Sequence, residues 1–172
     1  MSTCGLKLST LLRGSRSNVL GIGTDIVHLP RFAKLMARDA SIKDMRTNER
    51  VLSKFMHTVE LSKLQRMREE RYQEKALVQF VAGVWATKEA VYKSLSSRLD
   101  HDKTALPPAK YIYTQLCYKT NDSNGSPKVV IDPKLANVYP NFKQDFIEKT
   151  EFLLSLSHDD SYLVSFVCHV SV

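Results

Sequence analysis

The sequence predicts an α+β fold, a long central helix packed on a small antiparallel sheet. Three patterns carry that expectation. Apolar residues recur at Leu77, Val81, Val84, Val91 and Leu95, spacings of four, three, seven and four, the period of a helix with one buried stripe. Between Val19 and Val27 side-chain character alternates at every second residue, the period of a strand. The segments Phe152–Ser157 and Tyr162–Val172 are rich in aromatic and β-branched residues and are joined by His158-Asp159-Asp160-Ser161. They read as two strands and a turn.

The chain bounds what these elements can build. Its 172 residues, 43% hydrophobic and 25% charged, suit one globular domain with a core that needs no disulfides. The three cysteines, Cys4, Cys117 and Cys168, are odd in number and widely spaced. They form neither a disulfide framework nor a zinc motif and fit a reducing compartment. No apolar run is long enough to span a bilayer. The net charge of +7 favours acidic or phosphorylated partners. Residues 1–18 contain Lys7, Arg13 and Arg16, frequent Ser and Thr, and no acid. This is a basic leader with the composition of a mitochondrial presequence or of a basic tail. The single domain is expected over 19–172.

Strand Val19–Val27 places Leu20, Ile22, Thr24 and Ile26 on one face and Gly21, Gly23, Asp25 and Val27 on the other. Asp25 stands beside two glycines, where another group can approach the backbone closely. A carboxylate so placed either suits a hard cation or a donor ligand, or caps the next turn. A dinucleotide fingerprint is excluded, because its third glycine would fall at Ile26. Pro30 then opens a helix on which Arg31, Lys34 and Arg38 recur at helical spacing beside Phe32, Leu35 and Met36. That amphipathic basic helix is either a solvated face or a docking surface for an acidic partner.

A polar loop from Ser41 leads to a short helix near Glu49–Phe55. Thr58 caps a further helix through Leu61, Leu64 and Met67 to the mixed charges Arg66–Arg71. Both signs occur there, so a solvated face is favoured and nucleic acid is not expected as a partner. The central helix is expected over 73–95. Ser96–Lys103 is a polar loop. Pro107-Pro108 precedes an expected strand Tyr111–Tyr118, and Asn124-Gly125 turns the chain into a returning strand Lys128–Ile131. Lys134–Lys149 suggests a short helix and then a loop, interrupted by Pro140. The remaining histidines show no metal-ligand spacing.

On the central helix Glu89 and Lys93 are four residues apart and share one face, turned well over a right angle from the Leu77/Val91/Leu95 stripe. The helix is thus expected to bury one side and offer an acid and a base on another. Lys88 falls near the middle of the buried stripe, where a lysine must snorkel or bind something.

Three phrases stand in order: Gly21-Ile22-Gly23-Thr24-Asp25-Ile26-Val27, Trp85-Ala86-Thr87-Lys88-Glu89-Ala90-Val91-Tyr92-Lys93, and Ser155-Leu156-Ser157-His158-Asp159. Together they resemble the 4′-phosphopantetheinyl transferases, in particular the short holo-acyl-carrier-protein synthase type, over roughly Asn18–Val172. The family patterns are G-[IV]-[GD]-x-D, [FW]-x-x-K-E-[AS]-x-x-K and S-[IL]-S-H. Val59-Glu60-Leu61 also resembles the family's phrase before the central helix.

The resemblance implies an α+β fold, trimeric in short bacterial members, with active sites between subunits. It implies transfer of the phosphopantetheine arm of coenzyme A to a serine of an acidic apo acyl carrier protein, with release of adenosine 3′,5′-bisphosphate. Asp25 and Glu89 are implied as Mg²⁺ ligands, with Glu89 also a base toward the serine hydroxyl, directly or through a metal-bound water. Lys93 would stabilise the phosphates. Lys88 would contact coenzyme A or brace the site. Tyr92, Ser94, Ser157 and His158 are the further expected contacts to coenzyme A. Arg31, with Lys34 and Arg38, would receive the carrier protein. The alternative is a non-catalytic module of the same fold that binds coenzyme A or a carrier protein. Bacterial members commonly carry arginine at the position of Val84 and a glycine-rich loop where this chain has Ser94–Arg98. The valine, Trp85 and the basic leader look more like a eukaryotic organellar member, with expected residence in the mitochondrial matrix.

Overall fold

A computed structural model of the chain describes residues 18–40, 50–97, 105–134 and 138–172. The leader, apart from Asn18, lies outside the described residues, as do most of the Ser41–Arg50 and Ser96–Lys103 loops. Strand β1 spans Val19–His28 and helix α1 Leu29–Ala40. Helix α2 spans Thr58–Glu69 and the central helix α3 Glu74–Ser96. A hairpin follows, β2 Cys117–Asn121 and β3 Pro127–Ile131, and the chain closes with β4 Thr150–Asp159 and β5 Tyr162–Ser171.

The main sheet has the order β1-β5-β4 and is antiparallel throughout. The strand alternation holds. Gly21, Gly23 and Val27 of β1 face inward with Leu163, Ser165, Val167 and His169 of β5, while Ile22, Ile26, Val164 and Phe166 face outward. Helix α3 crosses the inner face. It buries twelve residues, not a single stripe, because the sheet covers one side and α1, α2 and the β2–β3 region cover others. Val81, Val84, Ala86, Ala90, Val91 and Leu95 are wholly buried, and the valine and leucine side chains contribute about 1.5–3 kcal/mol each when fully removed from water.

The glycines of β1 receive the helix itself. A Cβ at Gly23 would lie 2.0 Å from the Ala90 carbonyl oxygen, and one at Gly21 would lie 2.1 Å from that of Ser94. The close approach expected over these glycines is therefore made by α3, not by a ligand.

Three local expectations are corrected. Helix α2 is capped by His57, not Thr58: His57 Nδ1 accepts from the Val59 amide and the Glu60 carboxylate accepts from the His57 amide. Tyr111–Tyr118 is mostly not a strand. Ala109–Tyr111 is a helical turn begun after Pro108, Ile112–Leu116 continues it with wider hydrogen-bond spacing, and extended chain begins only at Cys117. Tyr111, Ile112, Tyr113 and Leu116 of this segment are buried. Pro140 starts a helical turn, Pro140–Phe142, rather than interrupting one, since a first-turn position needs no backbone donor.

Candidate active site

Asp25 lies two residues beyond Gly23 on β1, within reach of Lys93 of α3. Its Oδ1 accepts from Lys93 Nζ at 2.8 Å, and the same ammonium donates to the Thr24 carbonyl at 2.9 Å. The other oxygen, Oδ2, is buried with no hydrogen bond. Ser165 stands opposite Asp25 on β5, and its Oγ is likewise buried without a hydrogen bond. Two buried oxygens without partners are thus neighbours on one sheet face.

Glu89, one turn before Lys93, is half-buried. Its Oε1 accepts from the Tyr113 phenol at 2.9 Å. Burial pushes the Tyr113 phenol well above its usual range, and the charges of Glu89, Tyr92 and Asp25 push it further. The hydroxyl therefore keeps its proton and donates it to Glu89. The sequence-expected residues Asp25, Glu89 and Lys93 are brought together, with Tyr92 packed edge-on against Tyr113 at 6.1 Å between centroids.

Lys88 is enclosed. It is 1% exposed, donates to the carbonyls of Tyr113 and Cys117, and lies 3.2 Å from Glu60. Glu60 is equally buried and also accepts from the Lys119 amide. A lysine so enclosed is not available to coenzyme A. Ser94 is corrected as well: it is fully buried, its hydroxyl bonds the Val91 carbonyl within its own helix, and its carbonyl abuts Gly21. Val84 is fully buried, so a cation at this position of the chain would face the core rather than a phosphate.

Ser157 and His158 lie at the end of β4, on the far edge of the sheet from β1. They point to opposite faces. His158 pairs with Leu163 and shares the inward face of Asp25, while Ser157 pairs with the outward Val164. Both are exposed. Two strand spacings, about 10 Å, separate β4 from β1, so within one chain the pair stands apart from the carboxylates.

Arg31 sits with its guanidinium 5.8 Å from the Trp85 ring centroid and 5.7 Å from that of Phe32. With Lys34, Lys54 and Lys110 it rims a cavity of about 770 Å³ whose wall includes Trp85 and Tyr113. Tyr113, the donor to Glu89, thus shares a wall with the basic helix. Arg38 lies on α1.

The donor set suits a small hard cation. Among the described residues no group of three or more His, Cys, Asp or Glu side chains is placed to hold a metal ion by itself. Mg²⁺ asks for one or two carboxylates and takes phosphate oxygens and water for the rest. The unpartnered Asp25 Oδ2 and the free oxygen of Glu89 fit that demand. Of the contributing residues, Tyr113 and Ser165 were not expected from sequence. Ser165 had a signal, a hydroxyl at an inward position of an alternating strand. Tyr113 had none, being read as part of a strand.

The chain matches the 4′-phosphopantetheinyl transferase superfamily over residues 21–166. It is 38% identical to a mitochondrial holo-[acyl-carrier-protein] synthase of Eremothecium gossypii, covering 92% of this chain and 83% of that one. It is 37% identical to the protein of the same name from Candida glabrata, covering 87% and 93%. Among solved structures it resembles a holo-(acyl-carrier-protein) synthase from Bacillus anthracis in complex with CoA (3′,5′-ADP), with a TM-score of 0.56 at 19% identity over 90% of this chain and 98% of that one. The last likeness is one of fold.

Proposed function

The chain belongs to the 4′-phosphopantetheinyl transferase superfamily, and from that premise we propose that it moves the 4′-phosphopantetheine arm of coenzyme A to a serine of an apo acyl carrier protein, with Mg²⁺. The observation that carries this reading is the Asp25–Lys93 ion pair, one helical turn from Glu89, with Asp25 Oδ2 left without a partner. The curated relatives, named mitochondrial holo-[acyl-carrier-protein] synthases, support the substrate pair.

The serine oxygen attacks the β-phosphate of coenzyme A. The new phosphoester bond forms as the bond to the bridging oxygen breaks, and adenosine 3′,5′-bisphosphate leaves. Such a reaction needs positioning and charge neutralisation more than covalent help. Mg²⁺, held by Asp25 and Glu89, would supply charge neutralisation at the pyrophosphate. Glu89 takes the serine proton, directly or across a water. Lys93 turns from Asp25 toward the phosphates and stabilises the charge of the leaving group. Arg31 and Lys34 draw in an acidic carrier protein beside the cavity that Trp85 and Tyr113 wall. Tyr92, Ser157 and His158 contact coenzyme A, the last two from a neighbouring copy, since within one chain they stand at the far edge of the sheet. The exposed apolar outer face of that sheet supports assembly into a homotrimer. We place the enzyme in the mitochondrial matrix.

The test is a mass shift. Protein, coenzyme A, Mg²⁺ and an apo acyl carrier protein are mixed, with a matched sample in excess EDTA. One phosphopantetheine is expected on the carrier, lost with EDTA and lost with Glu89→Gln. Coenzyme A binding without any mass gain would overturn the reading in favour of a non-catalytic module.

A further inference from the structure

Two consecutive residues of α3 grip a single residue of the segment that follows it. Lys88 Nζ donates to the Tyr113 main-chain carbonyl at 2.8 Å, and Glu89 Oε1 accepts from the Tyr113 side-chain hydroxyl at 2.9 Å. Lys88 is fixed from behind by the buried Glu60. The Tyr113 ring is 9% exposed, packed edge-on against Tyr92 and tilted against Trp85 at 6.5 Å. The phenol therefore has a fixed backbone, a fixed ring and one acceptor. The Lys-Glu pair of α3 and Tyr113 form a closed clamp: the lysine sets where Tyr113 sits, and Tyr113 sets where Glu89 points.

We propose that Tyr113 is the positioning residue for Glu89, its hydroxyl occupying Oε1 so that Oε2 is the one oxygen presented to the reaction. The inference rests on the reading of Glu89 as a reacting carboxylate. A glutamate side chain has three rotatable bonds, and only a second anchor holds its terminal torsion, which is otherwise broad. With Oε1 engaged, Glu89 meets a cation through one oxygen and cannot chelate it through two. The clamp also fixes this geometry before substrate arrives, which is how a supporting hydrogen bond raises turnover rather than binding.

The experiment is a double-substitution cycle with Tyr113→Phe and Glu89→Gln. Turnover is followed by carrier mass shift. Binding is followed without turnover, by titrating Mg²⁺ into protein and coenzyme A in the absence of carrier and reading the emission of Trp85, the only tryptophan. Tyr113→Phe keeps the ring and should melt within a few degrees of the parent. It should lower kcat about tenfold, the scale of a hydrogen bond to a charged group, and weaken the Mg²⁺ midpoint about fivefold, with the KM for carrier within about twofold. In the Glu89→Gln background the same change should move the Mg²⁺ midpoint less than about twofold. Parental kcat and Mg²⁺ midpoint in Tyr113→Phe would overturn the proposal while leaving the role of Glu89 intact. Equal losses in both backgrounds would also overturn it, since a merely structural tyrosine acts alike in each. Full activity of Glu89→Gln would instead strike at the reading on which the proposal rests and take the proposal with it.

Discussion

Lys88 is the residue whose sequence context and structure explain each other best. Its place in the buried stripe demanded a partner, and the structure supplies Glu60 together with two backbone carbonyls. Removing one member of a buried pair leaves an uncompensated charge, at about 3–5 kcal/mol. Lys88→Met should therefore remove about a third to a half of a typical stability of about 10 kcal/mol and lower the urea midpoint in proportion. An unchanged midpoint would mean that Glu60 finds water when Lys88 is gone. Asp25, Glu89 and Lys93 were legible because a strand edge and a helix turn place them by period alone. Tyr113 was not, because its partner lies 24 residues away across a loop. Ser94 was misassigned because adjacency in a motif says nothing about which way a helical side chain points.

Among the elements, α2 offers a titratable start. His57 Nδ1 accepts from the Val59 amide and so carries no proton, while Nε2 lies 3.4 Å from Asp132. Burial, and then the Lys88 ammonium, hold this imidazole below its usual pKa of 6.5. The unfolded chain takes the proton first as pH falls, so this contribution is complete above about pH 6.5 and declines below it. The melting temperature should fall between pH 7.5 and 5.5, and His57→Asn, which keeps a capping acceptor, should flatten that slope. An unaltered slope in the variant would assign the effect to other groups. Element boundaries followed the sequence where periodicity was long, as in β1, α3 and β5. They failed over Tyr111–Tyr118, where a buried helical turn and a strand carry the same aromatic composition. They failed again at Pro140, which is equally suited to breaking a helix and to starting one.

At the scale of the whole molecule, the outer face of the main sheet carries Ile22 at 54%, Ile26 at 63% and Phe166 at 45% exposure. Apolar side chains gathered on one face mark an interface. Sedimentation of the parent should give three times the 19.6 kDa of one chain, and Phe166→Asp should release monomers. A monomeric parent would overturn the trimer and, with it, the supply of Ser157 and His158 from a neighbour. The alternation that aims these side chains outward was plain in the sequence. That they stay uncovered within one chain was not, since a sheet packed on both faces also alternates between two apolar sets.

The bare contact between α3 and β1 has a mechanical consequence. At Gly21 and Gly23 the strand touches helix carbonyls with no side chain between them. Elsewhere in the core, a lost methylene lets neighbours settle and elements drift by tenths of an ångström. Here nothing compressible separates the two backbones that carry Asp25 and Glu89. The spacing of those two backbones is therefore set like the jaws of a fixed-width wrench, and Tyr113 sets where Glu89 points between them. Substitutions elsewhere in the core loosen the molecule before they change the opening, and the tool keeps its gauge until it unfolds.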